Sequence, residues 1–229
     1  MRVIGVALVT LAGIASAATG DYGEREETPF RAVRAEDRLR LTVGPGALTF
    51  NETIVLSPID RKRKLQPGNP NLLHILIPPL WVREGQEERP AFNTLRPYYS
   101  SSHGRVRRFA LLRPDGEKVL TSDQITPDCR YVLTLEFGHV IPDRFTVNIG
   151  FASNRGITPE TEFLYTASND GYPVVSGPSE TVLTDLHVNA DAQLMPWKVL
   201  QGDRELPHAT PYIVRLNREL SHVIRFGQE

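Results

Sequence analysis

Short runs of alternating apolar and polar residues, separated by turn-forming residues, limit what this chain can fold into. The run Arg38 to Val43 alternates strictly, which places Leu39, Leu41 and Val43 on one face of a strand. Similar runs recur between Gly, Pro, Asn and Asp residues, and no segment carries a long helical period. This pattern predicts an all-β fold, a β-sandwich of immunoglobulin-like or jelly-roll type, built as one large or two small β domains.

Turn-forming residues add detail to this fold. Pro114-Asp115-Gly116 predicts a hairpin between the strand-like runs on either side, and Asn169-Asp170-Gly171 predicts another between its own flanking runs. Pro78-Pro79 interrupts the branched run Leu72 to Val82. Because proline cannot donate to a sheet ladder, this run predicts either an edge strand or two short strands.

The first 17 residues have the pattern of an export signal. Arg2 supplies a positive start, the stretch from Val3 to Ile14 is almost wholly apolar, and Ala15-Ser16-Ala17 offers the small residues at which a signal peptidase cuts. This apolar run is shorter than the roughly 20 residues that a membrane-spanning helix needs. We therefore expect an exported protein, periplasmic or extracellular, with no transmembrane segment after signal cleavage.

The rest of the chain divides by pattern into an arm and a strand region. Residues 18–36 are polar and charged without a period, and they predict an extended polar arm. Residues 37–229 form the predicted β-sandwich region. If this region holds two domains, the residues from Ser153 to Pro159 are the expected point of division, because they combine small, polar and turn-forming types.

Cysteine usage excludes one class of exported protein. The chain has a single cysteine, so it cannot form an internal disulfide and is not a disulfide-stapled scaffold. Cys129 precedes a strand-like run and is predicted to be a small buried side chain. The alternative is a reactive thiol or one that pairs between chains.

Charge is distributed unevenly although the net charge is only −1. The segment from Arg61 to Arg113 contains 11 Lys and Arg against 3 Asp and Glu, a net charge of +8. The segment from Pro114 to Glu229 contains 9 against 16, a net charge of −7. The sign changes inside a predicted hairpin, which favours opposed faces of one body over two oppositely charged domains.

The densest basic stretch, from Ala91 to Arg113, has aromatic residues between its arginines and contains no acidic residue. Such a surface suits an acidic partner, and Tyr and Arg are common in the centres of protein interfaces. The structural alternative is a solvated strand face with Val106 and Phe109 turned toward the core. The candidate partner-binding residues are Arg96, Tyr98, Tyr99, His103, Arg105, Arg107 and Arg108.

Motifs for catalysis and cofactor binding are not apparent in this sequence. Asp185, His187 and Asp191 form a weak candidate metal set, in which the first two share a strand face, but it requires further ligands from distant residues. The six histidines form no HExxH pattern, and no serine lies in a nucleophile elbow. We therefore expect no cofactor and assign no catalytic residue.

Together these patterns predict an exported, non-enzymatic binding or assembly module that uses a basic, aromatic face. A protein partner or self-assembly is the expected mode, an anionic glycan or lipid surface is possible, and nucleic acid is not expected. The alternative function is an exported carbohydrate-active or hydrolytic β-fold enzyme whose site residues are scattered along the sequence.

Overall fold

The computed structural model describes residues 32–58, 71–95, 97–138, 140–165, 174–176, 184–216 and 221–227. Most of these residues lie in strands, and the helical elements among them are two short 3-10 turns, Ser122–Gln124 and Ala192–Leu194. In chain order the strands are β1 (Ala32–Gly44), β2 (Ala47–Pro58), β3 (Asn71–Ile77), β4 (Trp81–Glu84), β5 (Glu87–Pro90), β6 (Tyr98–Ser101), β7 (Arg105–Leu112), β8 (Arg130–Phe137), β9 (Phe145–Ser153), β10 (Thr161–Tyr165), β11 (Val174–Ser176), β12 (Thr184–Ala190), β13 (Trp197–Gln201), β14 (Arg204–Glu205), β15 (His208–Thr210), β16 (Ile213–Leu216) and β17 (His222–Phe226).

The strands form three sheets. Sheet A has the order β15-β16-β12-β1-β2-β9-β6, and β11 pairs with the start of β1. Sheet B has the order β3-β8-β7, and sheet C has the order β14-β13-β17-β10-β4-β5. β11 and β12 run parallel to β1, whereas β1 and β2 are antiparallel and pair over nearly their whole length.

Sheets B and C cover the inner face of sheet A. Alternate residues of β2, among them Phe50, are buried, as the period of two requires. The Phe50 ring lies 6.2 Å from that of Phe163 in sheet C, and the Tyr131 ring of sheet B lies 5.1 Å from that of Phe151 in sheet A. One hydrophobic cluster includes residues from all three sheets. The predicted all-β sandwich is therefore confirmed.

Strands from both sides of the Ser153–Pro159 segment belong to the same sheets. β10 pairs with β4 in sheet C, and β12 pairs with β1 in sheet A. Ile157, within the segment, is buried and donates its backbone N–H to Gly44 O over 3.3 Å. The segment therefore packs against the turn that follows β1.

The turn predictions have mixed outcomes. Pro78-Pro79 separates β3 from β4, so the prediction of two short strands is confirmed. The predicted hairpin turn at Gly116 is confirmed, because Arg113 N donates to Glu117 O over 2.8 Å and Val119 N donates to Leu111 O over 2.9 Å across it. The predicted strand after the turn is wrong: it is reduced to a single bridge, between Leu112 and Lys118, before the chain enters the 3-10 turn Ser122–Gln124.

The predicted hairpin around Asn169-Asp170-Gly171 is also wrong. The turn itself lies outside the described residues, but its flanking runs join different sheets. β10 pairs with β4 and β17 in sheet C, whereas β11 pairs in parallel with β1 in sheet A. The chain therefore crosses from one layer of the sandwich to the other between these two strands.

The N-terminal predictions fall mostly outside the structure. The predicted signal, residues 1–17, and residues 18–31 of the predicted arm lie outside the described residues, as do the basic residues 61–64. β1 begins at Ala32, so the last residues of the predicted arm belong to sheet A. Within the described ranges, none of the helical elements is long and apolar enough to cross a membrane.

Candidate functional site

Most of the predicted basic and aromatic residues lie where an edge of sheet A meets an edge of sheet B. β6 is the edge strand of sheet A and β7 that of sheet B. Between them Gly104 adopts a φ of 80°, and the ring of Phe137 packs against it. Tyr99 of β6 meets Phe109 of β7 edge to face, with ring centroids 5.0 Å apart. We call the exposed set at this junction the basic corner: Tyr99, His103, Arg105, Arg107 and Arg108.

A β-bulge sets the directions of the arginines in the basic corner. The pairing of β7 with β8 shifts between Val106 and Arg108, so Arg107 is the extra residue. Arg105 and Arg108 are three positions apart, yet the bulge places both on the outer face of sheet B. Val106 and Phe109 pack against the core, as the structural alternative predicted. The bulge therefore lets one strand contribute to the core while all three arginines remain exposed.

Ion pairs distinguish the basic corner from the rest of the basic segment. Arg83, Arg89 and Arg113 each form an ion pair with a glutamate that is close in the sequence. The distance is 2.5 Å for Arg83 and 2.8 Å for Arg89. By contrast, no carboxylate of the described residues forms an ion pair with Arg105 or Arg107. Among the described residues of this segment, Arg105 and Arg107 therefore carry positive charge that no ion pair compensates.

Tyr98 does not belong to the basic corner, although it is adjacent to Tyr99. Successive side chains of a strand point to opposite faces, so Tyr98 lies on the outer face of sheet A. Its ring covers Gly150 of β9, and its hydroxyl donates a hydrogen bond to Asn51 Oδ1 of β2. The side chain of Tyr98 is nevertheless 60% exposed.

His103 occupies the turn of the basic corner. Its Nδ1 lies 3.0 Å from Ser102 Oγ, and its backbone carbonyl accepts a hydrogen bond from Ser101 Oγ over 2.5 Å. Ser102 in turn pairs with Thr146 of β9 through its backbone N–H. These contacts fix the turn on sheet A while leaving the imidazole exposed. Arg96, the remaining predicted residue, lies outside the described residues.

Two residues of the weak candidate metal set, Asp185 and Asp191, are engaged by other local contacts. Asp185 and His187 share the outer face of sheet A, but Asp185 Oδ1 faces the guanidinium of Arg215 at 3.5 Å. Asp191 lies beyond the end of β12, and its Oδ1 accepts the backbone N–H of Gln193 at the start of a 3-10 turn. Across the described part of the chain, no three His, Cys, Asp or Glu residues are placed to hold a metal ion.

A buried charged cluster, which the sequence analysis did not find, lies between sheets A and C. Arg34 Nη1 contacts Asp37 Oδ2 at 3.3 Å and Glu52 Oε1 at 3.1 Å. Thr184 Oγ1 donates to Asp37 Oδ2 over 3.2 Å. Each of these four side chains is at most 2% exposed, and the ring of Tyr165 from sheet C lies nearby.

A second β-bulge creates this cluster. The pairing of β1 with β2 shifts between Arg34 and Glu36, which makes Ala35 the extra residue. Arg34 and Asp37 therefore both point inward, although residues three apart in a regular strand face opposite sides. Glu52 pairs with Leu39 on the neighbouring strand and also points inward. The bulge thus brings one cation and two carboxyl groups together in the core.

Burial controls the protonation of the cluster. Removal from water, followed by repulsion from Glu52, raises the pKa of Asp37 to about 8, against an attraction to Arg34 that lowers it. Asp37 is therefore protonated at neutral pH. Burial, together with Glu52 and Asp37, also raises the pKa of the Tyr165 hydroxyl well above its usual range. Because the set is closed to solvent, the chemistry available to it in this conformation is proton binding.

Cys129 is buried, as predicted. Its Sγ lies 3.2 Å from Thr126 Oγ1, and Thr126 N donates to the sulfur over 3.5 Å. These contacts close the loop that leads into β8. The thiol therefore takes part in local packing, which explains its position without a reactive role.

Comparison with known proteins gives distant structural likenesses. No protein-family model matches the chain, and no curated protein matches its sequence. Native leukotriene A4 hydrolase from Saccharomyces cerevisiae is 14% identical with a TM-score of 0.45, covering 92% of this chain and 30% of that chain. The yeast enzyme in complex with bestatin is 14% identical with a TM-score of 0.43, covering 91% and 30%. The chain spans less than a third of the length of these structures.

Proposed function

We propose that this chain is an exported, non-enzymatic binding or assembly module that engages an acidic surface through the basic corner. The observation that carries the proposal is the absence of any carboxylate partner, in the described residues, for the exposed guanidinium groups of Arg105 and Arg107. Guanidinium groups without internal partners remain available for bidentate contacts to carboxylates of another molecule.

The setting of these arginines supports a protein partner. The basic corner also includes Tyr99, whose half-exposed ring meets Phe109 of β7 edge to face. A rigid aromatic residue next to arginines is a common composition for the centre of an interface. The bulge at Arg107 interrupts the edge of β7, which disfavours simple strand addition. Recognition is therefore proposed to occur through side chains rather than through an added strand.

Binding to poly-L-glutamate tests the proposal with a defined acidic probe. The double variant Arg105→Glu and Arg107→Glu should weaken binding by about tenfold or more at low salt, and added salt should reduce the difference. The matched control reverses two other exposed arginines, Arg155→Glu and Arg204→Glu, and should retain most of the affinity. Equal loss in both double variants would refute a localised site, and vesicles of anionic lipid in a parallel titration separate a lipid surface from a protein one.

Export is proposed from the first 17 residues alone, and it has its own test. Expression of the full chain in a bacterial host should yield a mature protein that begins near Ala18, with the signal removed. Intact mass spectrometry of the envelope and soluble fractions measures this directly. A full-length protein retained in the cytoplasm would contradict export without bearing on the basic corner.

A further inference from the structure

The outer face of sheet A presents a row of polar side chains that the proposed function does not use. The strand register places His187, Arg40, Asn51 and Gly150 side by side across β12, β1, β2 and β9. Tyr98 of β6 pairs with Gly150 and completes the row. Neighbouring strands lie about 4.8 Å apart, so these groups form one continuous strip.

Tyr98 forms an aromatic platform at one end of this strip. Its side chain extends from β6 across β9 to reach Asn51 on β2, so the ring must lie along the sheet rather than stand away from it. Gly150 makes this possible, because a Cβ at that position would overlap the phenol ring. One face of the ring is thus covered by the backbone of β9, while the side chain remains 60% exposed.

The hydrogen bond from Tyr98 also orients Asn51. Because Asn51 Oδ1 accepts from the Tyr98 hydroxyl, its Nδ2 amide is left as a donor on the strip. Arg40, the next residue in the row, is exposed, and no carboxylate of the described residues forms an ion pair with it. A guanidinium and an amide donor therefore lie next to the aromatic platform.

A second row supplies hydroxyl and amide groups beside the first. Thr53 Oγ1 donates to Asn148 Oδ1 over 2.8 Å, and Asn148 Nδ2 donates to Ser100 Oγ over 3.2 Å. These bonds orient the three side chains in one direction across β2, β9 and β6. The remaining capacity of Asn148 and Ser100 is directed to solvent, where it can meet hydroxyl groups of a ligand.

The charge of this face suits an acidic ligand. Glu36 contacts Arg38 at 3.5 Å and is also paired with Arg144, while Asp185 contacts Arg215. These two carboxylates are thus already engaged by other arginines, and Arg40 adds a further positive charge at the centre of the sheet. A neutral ligand could not form an ion pair with Arg40.

We propose that the outer face of sheet A binds an acidic polysaccharide, with a uronate ring stacked on Tyr98 and its carboxylate held by Arg40 and Asn51. The apolar face of a pyranose ring covers an aromatic ring, while its hydroxyls need adjacent donors and acceptors such as Asn148 and Ser100. The fork of Arg40 matches a carboxylate. This site lies on a different surface from the basic corner and does not depend on it.

Calorimetric titration with polygalacturonate oligosaccharides tests the site, and the methyl-esterified oligosaccharide provides a neutral ligand with the same backbone. The acidic ligand should bind and the ester should bind about tenfold more weakly or not at all. Arg40→Gln and Tyr98→Ala should each reduce the affinity for the acid by about tenfold. Tyr212→Ala, which removes a tyrosine of equal exposure at the far edge of sheet A, should leave it unchanged.

Three outcomes would overturn the proposal. The first is no binding of the acidic oligosaccharide by the wild type, and the second is equal binding of acid and ester. The third is tighter binding of a single-stranded DNA oligonucleotide that is lost in the same variants. In the background Arg105→Gln with Arg107→Gln, Arg40→Gln and Tyr98→Ala should still reduce the sugar affinity, so failure at this face and failure at the basic corner remain distinguishable.

Discussion

Asp37 and Glu52 lie on neighbouring strands in the closed interior, and both contact the same nitrogen of Arg34, at 3.3 and 3.1 Å. Two carboxylates cannot both remain charged so close together in a medium from which water is excluded, so one of them keeps its proton. The burial of Asp37 and, next, repulsion from Glu52 together raise the pKa of Asp37 to about 8. The cluster is therefore a source of pH dependence in the stability of the fold.

Asp37→Asn should remove this pH dependence. The folded state holds the Asp37 proton up to a pKa of about 8, whereas the unfolded chain releases it near 3.8. The contribution to the free energy of unfolding is therefore complete below pH 3.8 and is lost as the pH rises through 8, with a slope of at most about 1.4 kcal/mol per pH unit. Urea denaturation at several pH values should show that the free energy of unfolding of the variant increases relative to that of the wild type as the pH rises.

The control for this prediction is Asp203→Asn, which neutralises an exposed carboxylate instead. It should leave the pH dependence of unfolding close to that of the wild type. Parallel pH profiles for the wild type and Asp37→Asn would contradict the assignment of the buried proton to this cluster.

Arg34→Met should destabilise the fold by about 3–5 kcal/mol, because it leaves buried carboxyl groups without their cation. Adding Glu52→Leu to this variant should recover part of the loss, since the remaining Asp37 is stable in its neutral form. Arg38→Met is the matched control: its side chain is 70% exposed and contacts Glu36 at 3.5 Å. It should cost less than about 1 kcal/mol. Additive effects of Arg34→Met and Glu52→Leu in chemical denaturation would refute the coupling.

Gly156→Ala should destabilise the protein while Gly46→Ala should not. A Cβ at Gly156 would overlap the backbone of Gly44 and Pro45, which cannot move aside as a flexible side chain can. We expect a loss of about 1–3 kcal/mol or more. A Cβ at Gly46, in the same turn, meets no atom within 4 Å, and its effect should stay within about 0.5 kcal/mol. Equal thermal unfolding midpoints for the two variants would contradict the close approach.

Gly150→Ala should destabilise the wild type more than it destabilises a Tyr98→Ala background. In the wild type the new methyl group displaces the Tyr98 ring and breaks its hydrogen bond to Asn51. Without that ring the overlap with the atoms of Tyr98 is removed, and alanine restricts the unfolded chain more than glycine does. A double-mutant cycle on the free energy of unfolding measures the coupling. A coupling energy near zero would show that the ring does not lie on Gly150.

Local patterns predicted much of the fold. The alternation from Arg38 to Val43 correctly identified Leu39, Leu41 and Val43 as buried. The all-β sandwich followed from many such runs. Pairing over long separations was not predictable in this way, because the parallel pairing of β12 with β1 joins residues about 150 positions apart. The Asn169-Asp170-Gly171 hairpin failed for the same reason: turn chemistry reports local geometry and not which sheet each strand joins.

The candidate sites were likewise only partly predictable from the sequence. The strand pattern predicted that Val106 and Phe109 face the core while the arginines face solvent. It could not predict that Arg83 forms ion pairs whereas, among the described residues, Arg105 and Arg107 do not, because those pairs depend on the folded structure. The buried cluster did leave a signal, since Glu52 occupies an inward position in an otherwise apolar alternation with Phe50 and Ile54. Its partner could not be predicted, because the bulge at Ala35 that turns Arg34 inward arises from pairing with β2.

The most direct test of the basic corner is a map of amide chemical shifts in isotopically labelled protein during titration with poly-L-glutamate. The account predicts that the largest shifts cluster at β6, at the turn through Gly104 and at β7, and that they vanish in the Arg105→Glu and Arg107→Glu variant. Largest shifts on the outer face of sheet C, or a pattern spread evenly over the surface, would contradict it.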